Sequence, residues 1–327
     1  IHLGAILSLT FLLKPPFKSA RKDRVNVWFC LDWILVAASV YCTYYICANL
    51  TDIFARQGDW LPKDLWVSVI GTLLVMEACR RVIGLFMTGI CVIMMVYAYF
   101  GPYMPELIIH KGYSIERITT TLWLTTEGIF GLPIGVAATF VFVFVLFGAI
   151  LESTGGGNFF IELAYALTGR FSGGPAKTSV VASGFMGSVS GSAVGNVVAT
   201  GSFTIPMMKK AGFRPHIAGG IEPAASIGGM FMPPIMGAGG FIMAELTGVP
   251  YSQIMLIAIF PAFMYFFSVF MMVHFEAKMH NIQGEKSKES AWELLKAQWL
   301  YIAPLVVITI LMLSGFSPGY SAIIGMA

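Results

Sequence analysis

The sequence predicts an all-α polytopic membrane protein, on the evidence of its composition, its long apolar runs and the placement of its basic residues. Hydrophobic residues fill 57% of the 327 positions and charged residues only 11%, against about 25% charged residues in soluble domains. The mean hydropathy is +0.78. A spanning helix needs about 20 mostly apolar residues, and such runs fall at 26–50, 65–100, 134–152, 252–275 and 297–314. We therefore expect a multi-pass protein embedded in a lipid bilayer.

The basic residues indicate how the helices thread the membrane. The net charge of +3 is small and scattered, which argues against nucleic acid binding. The positive-inside rule places basic clusters in the cytoplasm. The clusters are Lys14, Lys18, Arg21, Lys22 and Arg24, then Arg80 and Arg81, then Arg170 and Lys177, then Lys209, Lys210 and Arg214, and finally Lys278, Lys286 and Lys288. This pattern predicts that 26–50 and 82–100 cross the membrane outward and that 65–79 and 134–152 cross it inward.

A short interfacial helix and a re-entrant hairpin are predicted next. Residues 159–167 are too few to span the bilayer, so we expect them to lie along its cytoplasmic face. Both flanks of the segment from Lys177 to Lys210 are basic, so it is expected to enter and leave on one side. The Gly and Ser residues at 187–192 are poor in a helix interior and predict the tip. Non-helical backbone at membrane depth requires protein or a water-filled cavity around it, which indicates a site.

The following helix is predicted to be discontinuous. It starts near His216, and the glycine pair at Gly228 and Gly229 lets the chain unwind. Two consecutive prolines, Pro233 and Pro234, remove two backbone donors and exclude a regular helix. The interruption is predicted to include the glycine-rich stretch from Gly237 to Gly240. Helix 252–280 is then expected to return inside, before a charged loop and an outward crossing at 297–314.

At these two interruptions the sequence resembles the large membrane subunit of tripartite ATP-independent periplasmic (TRAP) transporters. The matching stretches are SGSAVGNVVATGSFTIPMMKKAGF and EPAASIGGMFMPPIMGAGGFIMAE. The upstream stretches EACRR, starting at Glu77, and GIFGLP, starting at Gly128, resemble the fused form. In that form the small and large membrane subunits share one chain and work with a TAXI-type binding protein. Asn196 and Ile235 depart from the family pattern, which commonly has Asp and a hydroxyl residue at these positions.

The resemblance implies an elevator-type importer of the ion transporter superfamily, built from two inverted repeats that each contain a hairpin and a broken helix. A periplasmic binding protein would deliver an organic anion, and sodium would drive uptake. Residues 1–131 would hold small-subunit-like and connecting helices. Residues 132–280 would form the first repeat, with the hairpin at about 173–212 and the broken helix at about 216–248. Residues 281–327 would be a cytoplasmic connector and the start of the second repeat.

Because the sequence holds one hairpin and one break, we expect it to represent roughly the first half of a functional unit. The fused architecture implies a monomer, in the bacterial inner membrane.

A sodium site is predicted where the two interruptions meet. Unwound carbonyls and small hydroxyl and amide side chains supply the oxygen ligands that coupling ions use in transporters with broken helices. The candidate sodium ligands are Ser190, Ser192, Asn196, Gly228 and Gly229. Helix amino ends at a break suit a carboxylate, and the candidate substrate contacts are Ser188, Gly191, Ala193, Pro233, Pro234 and Gly237. The alternative is that these small residues only permit close helix packing.

Charged residues within apolar membrane stretches are costly to bury and are therefore candidates for a functional role. Glu77 lies three and four residues before Arg80 and Arg81, which predicts an ion pair. Glu222 and Glu245 flank the broken helix, near helix ends that water is expected to reach, and either is a candidate proton site. The residues without an identifiable partner are Asp32, Glu127 and His274.

Enzyme functions fit the sequence poorly. The stretch from Gly169 to Gly174 spaces its glycines as a P-loop does, but Pro175 occupies the position of the phosphate-binding lysine. An intramembrane serine protease needs a base beside its hydroxyl, whereas the nearest histidine, His216, is expected near the cytoplasmic surface. The main alternative is a secondary transporter or channel-like permease that works without a binding protein. A third hypothesis is a scaffold subunit that does not itself transport.

Overall fold

The computed structural model describes residues 1–17, 27–285 and 290–326, and all regular elements in these ranges are helical. The α-helices are α1 (His2–Leu13), α2 (Val27–Ala48), α3 (Leu50–Ala55), α4 (Pro62–Val82), α5 (Leu85–Phe100), α6 (Ile115–Leu124), α7 (Leu132–Val136), α8 (Phe142–Ser153), α9 (Gly156–Thr168), α10 (Gly174–Ser190), α11 (Ala193–Lys210), α12 (Pro215–Gly228), α13 (Ala238–Thr247), α14 (Tyr251–Met279), α15 (Ala291–Ala297), α16 (Ala303–Leu313) and α17 (Pro318–Met326). The all-α prediction is confirmed. The predicted basic residues outside the described ranges are Lys18, Arg21, Lys22, Arg24, Lys286 and Lys288.

Four stretches in the described ranges are long and apolar enough to cross a membrane. They are Trp28–Ala48, Leu85–Tyr103, Leu132–Ser153 and Tyr251–Met279. A fifth span results if α15 and the segment Trp299–Leu313, which are bent by 76°, count as one. The 21-residue helix α4 is not in this set and carries five charged residues towards its ends. The predicted crossing at 65–79 therefore stays a prediction.

The described chain divides into two compact units, Ile1–Gly135 and Val136–Ala327. The division falls inside the span Leu132–Ser153, where a π-helical turn, Ala137–Val141, joins α7 to α8. The three blocks predicted from the sequence, 1–131, 132–280 and 281–327, stay a prediction.

The first unit packs α1, α2, α4 and α6 around a shared apolar core. Its largest fully buried side chains are Phe11 and Trp123. Gly71 on α4 lies directly under the indole ring of Trp123, where any side chain would overlap the ring. A small residue on α4 therefore lets α6 approach closely.

A buried ion-pair network also stabilises the first unit. The Arg81 Nη1 atom donates to Asp32 Oδ1 at 2.6 Å, and Arg81 Nε donates to Glu77 Oε1 at 2.7 Å. Arg80 donates to both oxygens of Glu77, each at 2.8 Å. The predicted pairing of Glu77 is confirmed. The partner of Asp32 is not identifiable from the sequence, because Arg81 lies 49 positions away and only the packing of α2 against α4 joins them.

The second unit is built around α10, which contacts α8, α9, α11, α12 and α14. Small residues on α10, α12 and α14 form much of its core, among them Ala176, Ala218, Ala225 and Ala277. Small side chains permit close approach of helices where lipid offers no hydrophobic driving force between them. Helix α9 buries Phe159, Phe160 and Leu163, and its predicted place on the cytoplasmic face stays a prediction.

Two predicted non-helical stretches are shorter in the structure. Helix α10 continues through Gly187 and Ser188 to Ser190, so only Gly191 and Ser192 form the turn of the hairpin. Helix α13 begins at Ala238 and runs through Gly239 and Gly240. Tertiary packing overrides the weak helix propensity of glycine and serine at these positions.

Candidate functional site

The tip of the hairpin touches the break of the next helix. Gly191, in the left-handed region with φ of 57°, ends α10. The N–H of Ile235 donates to the carbonyl of Ser188 at 3.3 Å. A Cβ added to Gly191 would lie 2.9 Å from the carbonyl oxygen of Met236. The interruption in α10–α11 and the interruption between α12 and α13 therefore form one junction.

A second contact, between Gly187 and Gly229, brings α10 and the end of α12 together. A Cβ on either glycine would overlap the Cα atom of the other. Gly229 begins a single 3-10 turn that ends at Phe231. The two main chains thus pack without an intervening side chain, just before the helix breaks.

Two helix amino ends converge at this junction. Ser192 caps α11, since its Oγ accepts a hydrogen bond from Gly195 N at 3.1 Å. Gly237 is the N-cap of α13, and a Cβ added to it would lie 2.9 Å from the carbonyl oxygen of Gly191. Helix amino ends carry partial positive charge and bind carboxylates or phosphates. The predicted substrate contacts Gly191, Ala193 and Gly237 therefore lie together.

Asn196 lies one turn into α11 and is fully buried. Its Nδ2 donates to the carbonyl of Ser183 at 2.8 Å, and because that carbonyl can only accept, this contact fixes which way the amide points. Among the described residues, Asn196 Oδ1 has no hydrogen-bond partner. A buried acceptor left unsatisfied costs about 1–3 kcal/mol. The oxygen therefore fits a cation ligand.

The other predicted sodium ligands have local structural contacts. Ser190 Oγ accepts from Ser192 N at 3.4 Å, and the Ser192 hydroxyl caps α11. Gly228 packs against α14, where an added Cβ would lie 2.7 Å from the ring of Phe266. Gly229 lies beside Asn196, whose Nδ2 would be 3.2 Å from an added Cβ. The structure thus brings Asn196 and Gly229 together, and a ligand role for the set stays a prediction.

The proline pair is held by α14. The peptide bond between Pro233 and Pro234 is cis. The Tyr251 hydroxyl donates to the carbonyl of Pro234 at 3.0 Å and accepts from Met236 N at 3.1 Å. Both prolines line a cavity of about 620 Å³ whose other lining residues are almost all apolar. An apolar cavity does not suit a carboxylate, so substrate contact by the prolines stays a prediction.

Below the junction lies a fully buried carboxyl group, Glu222, surrounded by hydroxyls. Its Oε2 accepts from Ser179 Oγ at 2.6 Å and also from Thr204. Its Oε1 accepts from Ser183 and Ser226, each at 3.3 Å, and also from Thr200. We call these five residues, Ser179, Ser183, Thr200, Thr204 and Ser226, the hydroxyl cage. Every member is fully buried.

The hydroxyl cage was not predicted from the sequence, although the spacing of its residues in the sequence indicates it. Its members and Asn196 repeat at a spacing of four, which puts them on one face of each helix. The three stripes are Ser179 and Ser183 on α10, then Asn196, Thr200 and Thr204 on α11, then Glu222 and Ser226 on α12. Three polar stripes on neighbouring helices indicate a shared buried polar cluster.

The structure corrects one expectation about a single residue, confirms another and identifies a partner for a third residue. Water was expected to reach Glu222, which is instead enclosed because α10 and α11 cover its face of α12. Glu245 on α13 is exposed, as expected. The sequence identifies no partner for His274, whose Nδ1 lies 2.9 Å from Lys177 Nζ because α10 packs against α14.

Comparison with known proteins places these features in a family. The family model described as "Tripartite ATP-independent periplasmic transporter, DctM component" matches residues 70–327. An uncharacterized protein, y4mL, of Sinorhizobium fredii is 27% identical over 187 residues, which cover 56% of this chain and 44% of that protein. The C4-dicarboxylate TRAP transporter large permease protein DctM of Vibrio cholerae is 27% identical over 199 residues, covering 58% and 42%.

A third relative is the 2,3-diketo-L-gulonate TRAP transporter large permease protein YiaN of Escherichia coli. It is 26% identical over 168 residues, which cover 50% of this chain and 39% of that protein. The chain spans less than half the length of each of these three relatives.

Proposed function

Because the chain belongs to the family of the DctM component of tripartite ATP-independent periplasmic transporters, we propose that it forms part of the permease of a sodium-driven importer of organic acids. Members of this family are transporter components and not enzymes. The chain is a multi-pass protein of the bacterial inner membrane. The observation that carries the proposal is the junction of the hairpin tip with the helix break, beside the unpartnered oxygen of Asn196.

Sodium coupling is supported by the chemistry at the junction. Asn196 Oδ1 is buried and has no hydrogen-bond partner among the described residues. It lies next to a break whose carbonyls no longer all belong to a helical ladder, as in transporters that bind Na+ at discontinuous helices. Asn196 and Gly229 would hold the ion, and the ion would supply the driving force for uptake.

An organic anion is the substrate that the junction suits. The amino ends of α11 and α13 meet there, and their partial positive charges favour a carboxylate. Two of the compared relatives are named for C4-dicarboxylate and 2,3-diketo-L-gulonate, both organic acids. We propose the same class of substrate for this chain.

The proposed partner is a periplasmic binding protein of the TAXI type. Support comes from the EACRR and GIFGLP stretches, which resemble the fused form that works with such proteins. In the proposed elevator cycle, the hairpin and the broken helix move together, because their main chains are packed glycine against glycine.

The test is uptake by the full-length parent protein in proteoliposomes. A panel of radiolabelled organic acids is offered with an inward sodium gradient and with the binding protein encoded beside the gene. Uptake should require both components. Equal uptake with a potassium or choline gradient would refute sodium coupling, and equal uptake without the binding protein would favour the binding-protein-independent permease.

A further inference from the structure

The hydroxyl cage holds a carboxyl group where an ion pair would be expected. Glu222 is fully buried in the middle of α12, and a buried ionised carboxylate is costly unless it is paired and hydrogen-bonded. No salt bridge in the described ranges includes Glu222. All five side chains bonded to it are neutral hydroxyls.

The titratable groups on the elements that pack around Glu222 have other contacts. On α10, Lys177 Nζ contacts His274 of α14. On α14, the Tyr265 hydroxyl donates to the carbonyl of Ala224 at 2.6 Å, and Glu276 pairs with Arg214, just before α12. Tyr251, at the start of α14, is buried and bonds to Pro234 and Met236. The remaining groups are exposed residues at helix ends: Lys209 and Lys210 on α11, His216 on α12 and Lys278 on α14. None of the groups on these elements neutralises Glu222 directly.

The hydroxyls of the cage can serve Glu222 in either charge state. The five hydroxyls make five contacts with carboxyl oxygens. Thr200 and Thr204 also contact helix carbonyls, those of Asn196 at 2.8 Å and Thr200 at 3.0 Å. A hydroxyl carries one proton, so five protons serve seven contacts with carboxyl and carbonyl oxygens. When Glu222 is a carboxylic acid, its O–H group can donate to one of the two threonines, and that threonine is then free to donate to its helix carbonyl.

We propose that Glu222 is a proton-binding site within the permease. A proton from water forms an O–H bond at one carboxyl oxygen, and the carboxylate becomes a neutral carboxylic acid. The reverse step returns the proton to water and restores the negative charge. Both states keep the five hydroxyls as neighbours, because each hydroxyl can donate to the carboxylate or accept from the acid.

If the proposed transport function holds, this site makes uptake depend on pH. The cage joins both arms of the hairpin, α10 and α11, to the broken helix α12. Ser183 connects it to the candidate ion site, because the Ser183 hydroxyl contacts Glu222 and its carbonyl accepts from Asn196 Nδ2. A change of charge at Glu222 therefore changes the packing that holds the junction.

Infrared difference spectroscopy of the purified full-length protein tests the site without any transport. When the pH is lowered from 9 to 5, the wild type should gain the C=O stretching band of a protonated carboxylic acid. Glu222→Gln should lack this band, whereas the matched control Glu245→Gln, whose side chain is exposed on α13, should retain it. Identical spectra for the wild type and Glu222→Gln between pH 5 and pH 9 would overturn the proposal. Loss of the band when sodium replaces potassium at constant pH would also overturn it, by assigning the cage to sodium.

A second variant keeps the test decisive if Glu222→Gln does not fold. Thr204→Val removes one hydroxyl of similar shape and leaves the carboxyl group in place. The band should persist and move to higher frequency, because the carboxylic acid has lost one of its hydrogen bonds, whichever partner donated in it. An unmoved band would contradict the proposal.

The transport consequence has its own measurement. Uptake by the wild type and by Glu245→Gln should vary with pH, and uptake by Glu222→Gln should be flat over the same range. A Glu222→Gln profile that follows the wild type would exclude a role for this proton in transport. Failure of sodium-driven uptake would leave the infrared result standing, so the two proposals fail separately.

Discussion

At the scale of single residues, Asn196 is the strongest candidate for a ligand. Its amide is neutral, so it brings no formal charge to the predicted ion site, whereas an aspartate would. The structure shows the amide nitrogen satisfied by Ser183 and the amide oxygen buried without a partner in the described ranges. A neutral oxygen that is already desolvated can bind a cation without first giving up a protein hydrogen bond.

The Asn196→Ala variant of the full-length protein should bind sodium more weakly. Loss of one oxygen ligand should cost about 1–3 kcal/mol if it resembles an unsatisfied buried polar group, which is roughly a tenfold to hundredfold loss of affinity. Asn196→Asp keeps an oxygen and adds charge, so sodium binding should be preserved or tightened. Sodium titrations of uptake give the half-saturation concentration for each variant.

The matched control for Asn196 is Ser202→Ala on the same helix. Ser202 is exposed and its hydroxyl makes only a long contact, 3.4 Å, with the carbonyl of Ala199. Its half-saturation concentration should equal that of the wild type. If Asn196→Ala also leaves this value unchanged, the residue is a packing residue and not a ligand.

At the scale of elements, the glycine contact between α10 and α12 is the feature most sensitive to substitution. Gly187 and Gly229 face each other so closely that neither position can accept a Cβ without movement of a main chain. Other glycines of the same helices, such as Gly219 on α12, have nothing within 4 Å of an added Cβ. The same substitution should therefore have opposite effects at the two kinds of position.

Gly187→Ala should destabilise the protein and disturb the junction. The energetic cost of overlap with the Gly229 main chain should exceed the stabilisation of about 1 kcal/mol that alanine gives a helix relative to glycine. Gly219→Ala causes no overlap and keeps this stabilisation, so it should be neutral or stabilising. Thermal unfolding of the purified full-length variants in detergent measures both, and equal midpoints would contradict the contact.

The buried ion pairs of the first unit predict a second difference in stability. Arg81→Met leaves the carboxylate of Asp32 buried without its partner, and breaking such a pair typically costs about 3–5 kcal/mol. The control is Arg214→Met, whose pair with Glu276 is half exposed and should contribute about 0–1 kcal/mol. Chemical unfolding of both variants should separate them, and similar losses would show that the buried network is not stabilising.

The sequence predicts elements better than contacts. The glycine-serine stretch and the double proline identify the hairpin and the break, although helix α10 continues into that stretch as far as Ser190. The meeting of Gly187 with Gly229, and of Asp32 with Arg81, depends on how helices distant in sequence pack. Glu222 was expected to be reached by water because its neighbours on α10 and α11 cannot be read from α12 alone. The spacing of four in the cage marks one face of each helix but not which faces meet.

At the scale of the whole molecule, the basic residues at helix ends predict how the helices of the second unit are oriented in the bilayer. Basic residues end α11 and α14, at Lys209, Lys210 and Lys278, and the positive-inside rule places both ends in the cytoplasm. We therefore predict that helices α12 and α13 together cross outward, which would put Thr247 on the periplasmic side, and that α14 returns. The hairpin would then enter and leave from the cytoplasm.

This topology predicts which single cysteines a membrane-impermeant thiol reagent will label. In a full-length variant with its native cysteines replaced by serine, Lys210→Cys and His280→Cys should label only in inside-out vesicles, whereas Thr247→Cys should label in intact spheroplasts. All three positions are exposed, so a difference in labelling reports sidedness and not burial. Labelling of Lys210→Cys from outside would mean that the hairpin does not return to the cytoplasmic side, where it is predicted to enter. Two basic helix ends would then face the periplasm against the positive-inside rule, and the predicted pairing of the hairpin with an outward-running broken helix would have to be abandoned.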